Sequence, residues 1–482
     1  MFILSKSLFC LVALFATFSG FGQDLNRHNW FFSGNNQAIV FGKDSESNPV
    51  LLSGKTAQNN IGEKVTATDQ ISGDLIFYSD GVNIYDGTYQ VMPNGDNIDF
   101  DPLGLQALAT SPIPGNDSDS LYYIFHRNPA GEILYTLIDR RVQGNRLDGP
   151  PSGAVDINQK NRSTGITDRG DGLIAIGSSD LSTYWIISQN ASTGTFEIHE
   201  IPRPGLPFTV AGTMNLTNPI TAAHFSYHEG TGQIAITPSN NANIEIALFA
   251  DGGNINPVLT SSRTVLNSFV FGETYGGSVG WSYTGRFLYF GRNNGTNGNI
   301  YRFDAFSTLA EGTVEQVLDN PVTESFSLQL APDSLVYNIY TNAPSGERLL
   351  RRIDNADLTD LEDLEIEEEL FENLDVESTY FSQFNPSAAF RPQVEIASQE
   401  GDLCMNNPIQ FFPVLNPATS IPNAYFWDFQ GAGVTSELQA PVVTFEQGGA
   451  ITANLDVLIN GLFYPTQVPL NVLENDIQVS LP

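Results

Sequence analysis

From residue 29 to about residue 391 one pattern of apolar and polar positions recurs. A turn rich in Gly, Asp or Ser precedes an alternating apolar strand; a short polar link and a second strand complete the unit. The units are 30–52, 73–86, 120–139, 172–201, 232–251, 285–304 and 333–354. These seven units are roughly 40 to 60 residues apart, close to the period of propeller blades. In the sixth, Phe287 and Tyr289 share one strand face and Leu288 and Phe290 the other, so this strand should be buried on both sides. Tyr301 and Phe303 alternate with Arg302, so its partner strand should be half-buried. A single unit exposes strand edges and cannot bury its apolar faces; radial stacking leaves only short, protected edges. The regular spacing therefore predicts a β-propeller of about seven blades rather than a tandem of sandwiches.

The ring has to close. The segment Tyr380, Phe381, Ser382, Gln383 and Phe384 is placed to return and complete the blade begun near Trp30. One insert, residues 355–378, interrupts the pattern with eleven carboxylates, among them Asp357, Glu365, Glu367, Glu368 and Asp375. Leu358, Leu361, Leu364, Leu370 and Leu374 fall mostly three or four apart, which allows a short amphipathic helix. A cation- or partner-binding finger is one reading; a solvated segment between the last blades is the favoured one. Pro386 and Pro392 bracket a boundary. Short strand candidates follow at 394–396, 409–414, 425–429, 442–445 and 453–459, a spacing that suits one β-sandwich. The fold class is thus all-β, a propeller over residues 23–391 followed by an immunoglobulin-like sandwich over 392–482.

Residues 1–22 read as a secretory signal peptide. Lys6 gives the positive start, the run from Leu8 to Phe18 is too short to span a bilayer, and Gly20 and Gly22 precede a cut before Gln23. Cys10 lies inside the apolar run and not at the cut, which argues against a lipoprotein. The protein is expected to be secreted or held at the cell surface, without membrane insertion after signal removal. The 482 residues carry 21 Lys and Arg against 54 Asp and Glu, a net charge of −33. Losing Lys6 gives 20 − 54 = −34. Such a surface repels polyanions, so nucleic acid is not an expected partner. Only Cys404 remains after cleavage, which leaves no intramolecular disulfide.

Two resemblances follow from particular residues. Tyr425, Phe426, Trp427, Asp428 and Phe429, followed by Gly431, Gly433, Ser436, Pro441, Phe445 and the strand around Leu455, resemble the PKD domain. Gln430 and Ala432 stand where that family has Gly and Asp, and the turn is one residue longer. Trp427 and Phe429 should share a core face, with Asp428 helping to hold the turn. The larger part resembles exported proteins of Bacteroidetes-type bacteria, in which a WYFG-like start and a propeller precede PKD repeats. The matching residues are Asn29 to Gly34, Ala38 to Phe41, Gly73 to Gly81, Val91 to Gly95, Tyr122 to Phe125 and Ser282 to Tyr289. That resemblance implies association with gliding motility or type IX secretion. Family members carry a C-terminal sorting domain, whereas Pro482 comes directly after the sandwich here.

The candidate chemistry is sparse. His224 and His228 are four apart, but on a strand that spacing does not converge on one ion. Asn94, Asp96, Asn97, Asp99 and Asp101 crowd one loop, with smaller groups at Asp117 and Asp119 and at Asp168 and Asp171. Hard oxygen ligands suit calcium, which makes Asp96, Asp99 and Asp101 the metal candidates; ordinary Asx-turn chemistry is the favoured alternative. No other cofactor is indicated. No G-x-S-x-G elbow, phosphate loop or H-E-x-x-H motif is present. Trp30, Trp185, Trp281, Tyr184, Tyr275 and Tyr283 could stack on sugars at a propeller mouth, although packing between blades is the commoner use. The expected function is extracellular or cell-surface binding or adhesion, with a polysaccharide or cell-envelope protein as partner. The alternative is a secreted propeller hydrolase or lyase acting on polysaccharide.

Overall fold

The computed structural model describes residues 28–473 except 33–36, 42–48, 54–63, 70–72, 116–119, 147, 179–180, 217–219, 239–242, 251–257, 266–273, 276, 294–297, 308–313, 321–323, 343–344, 369, 372–373, 375, 377–378, 385, 387–392, 399–402, 417–421 and 460–461. The signal peptide, Asp117 and Asp119 therefore lie outside the described residues. Among the described residues nine sheets are formed, seven before residue 386 and two after it.

The seven sheets are the blades. Blade 1 holds Asn29–Phe31, Ala38–Val40 and Val50–Leu52; blade 2 holds Gln383–Phe384, Val65–Thr68, Leu75–Ser79 and Ile84–Asp86 in that order. Blade 3 holds Leu108–Pro112, Leu121–Arg127 and Ile133–Asp139, with Ala154–Val155 and Arg162–Ile166 both paired to its third strand. Blade 4 is Arg169–Gly177, Tyr184–Asn190, Phe196–Glu200 and Thr209–Met214. Blade 5 is Ala222–His228, Gln233–Pro238, Ile244–Ala250 and Val258–Val265. Blade 6 starts with Thr274–Tyr275 and Gly280–Trp281 and continues through Phe287–Asn293, Gly298–Asp304 and Val314–Asn320. Blade 7 is Glu324–Leu330, Val336–Thr341, Arg348–Asp354 and Glu365–Glu367.

Apolar cores join the blades pairwise around a ring. Phe31 meets Tyr78 of blade 2, Phe77 meets Tyr122 of blade 3, and Ile133 clusters with Tyr184 and Ile186 of blade 4. Trp185 packs on Phe249, Ala235 clusters with Trp281, and Tyr289 clusters with Leu328 of blade 7. The last junction closes the circle, with Tyr337, Ile339 and Leu350 of blade 7 around Trp30, Ile39 and Phe41 of blade 1. Each middle strand thus has apolar neighbours on both faces, and each buried large side chain stabilises by about 1.5–3 kcal/mol. This explains the continuous apolar runs, and Phe287, Leu288, Tyr289 and Phe290 are all buried.

The partner strand departs from expectation, because Arg302 is fully buried there. Its guanidinium donates from Nε to Glu315 at 2.8 Å, from Nη1 to the Leu358 carbonyl at 2.6 Å and from Nη2 to the Thr359 carbonyl, and lies 4.4 Å from the Phe287 ring. A charge so paired can leave water. The described part of the acidic insert holds a 3₁₀ turn at Leu361–Asp363 and no α-helix, and residues 359–363, 365, 367 and 368 are exposed, as a solvated segment would be. Glu365–Glu367 form the outer strand of blade 7, and Glu367 and Glu368 pair with Arg352 and Arg351. Leu374 and Val376 are buried in the core between blades 7 and 1.

The segment returns to join an N-terminal blade, but that blade is the second and not the one begun near Trp30. Among the described residues blade 1 is built from Asn29–Phe31, Ala38–Val40 and Val50–Leu52. The returning segment pairs Gln383 and Phe384 in parallel with Val65 and Thr66 of blade 2, while Ser382 bonds Phe31 and Phe381 packs on Trp30 of blade 1.

The second region is a two-sheet sandwich. One sheet holds Gln393–Ser398, Pro408–Asn416 and Val442–Thr444; the other holds Val434–Ser436, Pro422–Gln430, Gly449–Ile459 and Leu462–Val472 in that order. Trp427 and Phe429 are buried and stacked, with centroids 5.8 Å apart. The turn after them is held by Ala432 N–H donating to the Phe429 carbonyl at 3.0 Å, with Gly431 and Gly433 at positive φ. Glycine takes that backbone without strain, which is how the longer turn does without the family's Asp.

Candidate functional site

Residues of the first strands of blades 4, 5, 6 and 7 come together at the centre of the ring, among them Ile176, Tyr227, Trp281 and Gln329. Residues 379–384 and Pro386 lie beside these strands. Thr379 accepts from Ser327 N–H of blade 7 at 3.4 Å. Tyr380 stacks on His224 of blade 5 at 4.8 Å, and Phe381 packs on Trp30 of blade 1 at 4.9 Å. Gln329 of blade 7 donates to the Ser382 carbonyl at 3.5 Å. Gln383 N–H donates to the Lys64 carbonyl at 2.7 Å, and its side-chain amide donates to the Leu173 carbonyl of blade 4 at 3.4 Å.

Beside the segment lies a cavity of about 90 Å³. Its walls include Gln106, His228, Glu229, Trp281, Gln329 and Gln383. At about 30 Å³ of liquid volume per molecule it has room for a few waters, well below the roughly 300 Å³ of a small-molecule pocket. The side chains around it are engaged in structure. Gln106 donates to the Phe225 carbonyl at 2.9 Å and accepts from Phe225 N–H at 2.7 Å. His228 donates from Nε2 to the Tyr283 carbonyl at 3.0 Å, and its Nδ1 faces the Thr231 hydroxyl at 3.2 Å. Trp281 donates to the Ser226 carbonyl at 3.0 Å.

The other histidines are also built in. His126 donates from Nδ1 to the Asp99 carbonyl at 2.8 Å and faces the Thr136 hydroxyl at 3.1 Å. Burial pulls His126 down to about 4. His224 is pulled to about 4 by burial, against an opposing backbone hydrogen bond from Leu105. His199 is lowered to about 4 by burial and then by Arg169, against Glu197.

The calcium candidates go separate ways. Asp101 is buried on Arg127 at 2.8 Å, and the same guanidinium holds Asp171 at 2.7 Å. Asp96 is exposed beside Lys160 at 3.4 Å, and Asp99 is exposed with its N–H on Asn161. Among the described residues no group of three or more His, Cys, Asp or Glu is gathered to hold a metal ion. Of the candidate sugar-stacking aromatics, Trp30, Trp185, Trp281 and Tyr184 are buried in the junctions between blades. The axial segment is the feature that sequence reasoning placed wrongly; its clue was the run of aromatic and amide residues at 380–384.

No protein-family model matches the chain, and no curated protein matches it. Among solved structures the chain is similar to a putative 6-phosphogluconolactonase from Bacteroides uniformis. Identity is 12%, covering 72% of this chain and 94% of that one, with a TM-score of 0.44. It is similar to the β-propeller domain of Myceliophteria thermophila Cps50 (Swd1), at 9% identity over 67% of this chain and 96% of that one, with a TM-score of 0.40. It is also similar to the PKD1 domain of Vibrio anguillarum Epp, at 23% identity over 17% of this chain and 92% of that one, with a TM-score of 0.15. TM-scores this low leave the fold resting on its own sheet order and inter-blade cores.

Proposed function

We propose that this chain is an exported binding or adhesion module, a rigid propeller carried with a PKD-like sandwich. It acts outside the cell or at its surface and takes a polysaccharide or an envelope protein as partner. The reading follows the resemblance to Bacteroidetes-type exported proteins of the gliding and type IX secretion kind, and the signal peptide read at residues 1–22.

The observation that supports it most is the filled axis. Phe381, Ser382, Gln383, Phe384 and Pro386 form one wall of the central cavity, which keeps only about 90 Å³. The histidines beside it spend their ring atoms on structural partners or lie in the core. What the propeller offers a partner is therefore its loop faces, which suit recognition of a large ligand over enclosure of a small one.

The test is retention of the purified chain on immobilised polysaccharides and on envelope fractions of the source bacterium, run beside a turnover assay on the same glycans. Saturable retention without glycan cleavage is expected. Cleavage of any glycan in the panel would overturn the reading in favour of a hydrolase or lyase, and no retention on any surface would overturn binding itself.

A further inference from the structure

We propose that the outer rim of the junction between blades 3 and 4 is a binding cleft for a neutral polysaccharide; this rests on the binding reading above and deepens it. Two half-buried rings form its floor. Tyr135 comes from the third strand of blade 3, and Phe208 stands just before the last strand of blade 4. Their centroids are 5.9 Å apart, with the planes tilted by 43°. Both rings rest on the buried Tyr123, at 5.0 and 6.4 Å.

Two loops flank the rings. On the blade 4 side, residues 202–207 hold Pro202, Pro204 and Pro207. Pro204 and Gly205 are the central residues of a tight turn, closed by Leu206 N–H donating to the Arg203 carbonyl at 3.1 Å, with Gly205 at a φ of +88°. Glycine takes that φ without strain, and the prolines stiffen the loop, so it has little conformational entropy to lose on binding. The core does not need this loop, since Leu206 is 61% exposed. The loop also reaches across the junction. The Arg203 guanidinium lies against Gly115 of blade 3, where a Cβ would meet Nη2 at 2.1 Å. On the blade 3 side, the Gln159 amide oxygen accepts from the Tyr135 hydroxyl at 2.7 Å, and Arg162 lies across the ladder from Tyr135. Arg162 and Arg203 are exposed, and among the described residues neither forms an ion pair.

This chemistry fits a sugar chain. The C–H faces of pyranose rings stack on aromatic rings, while a few fixed amide and guanidinium groups bond the ring hydroxyls. The charge argues for a neutral chain. The net −33 of the protein repels polyanions, and Glu132 and Asp156 stand on the blade 3 wall, where they accept from the Ser163 hydroxyl and Asn158 N–H. The two arginines therefore act as hydrogen-bond donors to hydroxyls.

Affinity electrophoresis of the chain from Gln23 tests this, in gels holding dextran, laminarin or hydroxyethylcellulose, with carboxymethylcellulose as the anionic counterpart. At least one neutral polymer should retard the protein, and carboxymethylcellulose should not retard it more. Phe208→Leu keeps apolar packing and removes the ring; it should weaken retention about threefold to tenfold. Arg203→Ala should weaken it about threefold or more. Its side chain is exposed, so this variant keeps the test readable should Phe208→Leu fail to fold. Arg286→Gln, on blade 6 and ion-paired with Asp304, should leave retention unchanged. Variants at Phe208 and Arg203 that bind as well as the parent, or stronger retardation by carboxymethylcellulose, would overturn the proposal and leave the binding reading standing. A parent that no polysaccharide retards but that binds envelope fractions would overturn it in favour of a protein partner. A parent that binds neither would overturn the binding reading as well.

Discussion

Replacing Arg302 by Met tests how the acidic insert is tied to the ring. The side chain is fully buried, so the substitution removes a charge and keeps much of the volume. It also removes donors from the Leu358 and Thr359 carbonyls, the ion pair to Glu315 at 2.8 Å and the cation–π contact with Phe287 at 4.4 Å. Two carbonyls losing their donors cost about 1 kcal/mol each at this partial exposure. The cation–π contact adds about 1–2 kcal/mol. Relief of guanidinium desolvation and the new apolar contacts of Met offset part of this. The balance is about 2–3 kcal/mol of destabilisation. At about 2.1 cal/mol/K per residue, a propeller of about 360 residues has an unfolding entropy near 0.75 kcal/mol/K, so its Tm should fall by about 3–4 °C. Calorimetry should show the propeller transition moving and the sandwich transition fixed. Glu315→Gln should cost under about 1 kcal/mol, because that carboxylate is 40% exposed. A Met variant as stable as the parent would refute the reasoning, since the insert would then be held by something other than this arginine.

Other consequences follow from the same structure. His126, His199 and His224 sit near 4 when folded, below the 6.5 of a free imidazole, so the unfolded chain binds more protons between those values. Their contribution is present above pH 6.5 and is lost as pH falls toward 4; urea midpoints should drop across that window, and a flat profile would count against buried neutral rings. Leu374→Ala should cost about 2–4 kcal/mol by opening a void between blades 7 and 1, read as faster hydrogen exchange in 29–31 and 38–40. Trp427→Phe should cost the sandwich about 1–2 kcal/mol, because the indole N–H donates to the Leu438 carbonyl at 2.9 Å; urea unfolding of the sandwich would show it.

The middle hairpins were legible because they are buried on both faces, and their apolar runs at 121–127, 184–190 and 287–293 mark blades 3, 4 and 6. The inner strands were not, since positions near the axis carry small and polar residues, as in Val65–Thr68 and Glu324–Leu330. Leu462–Val472 was missed for another reason. Pro465 and Pro469 argue against a central strand, and the structure puts it at a sheet edge, where proline is tolerated. Arg302 read as exposed because its partners, Glu315 and the 358–359 carbonyls, come from other elements. The carboxylates near residue 100 drew a metal reading because sequence crowding does not reveal that Asp101 turns inward to Arg127. Residues 380–384 were legible as a returning segment but not in their partner, since a two-residue parallel ladder leaves no pattern of its own.

The binding account is tested most directly by a hydrogen-exchange footprint of the chain with and without the polysaccharide or envelope fraction that retains it. Protection confined to loops between strands, such as 80–83, 101–106, 128–132 and 191–195, is the predicted result, with the axial strands 173–177 and 225–228 unchanged. Protection centred on those axial strands, with 379–386 displaced, would contradict recognition through the loop faces.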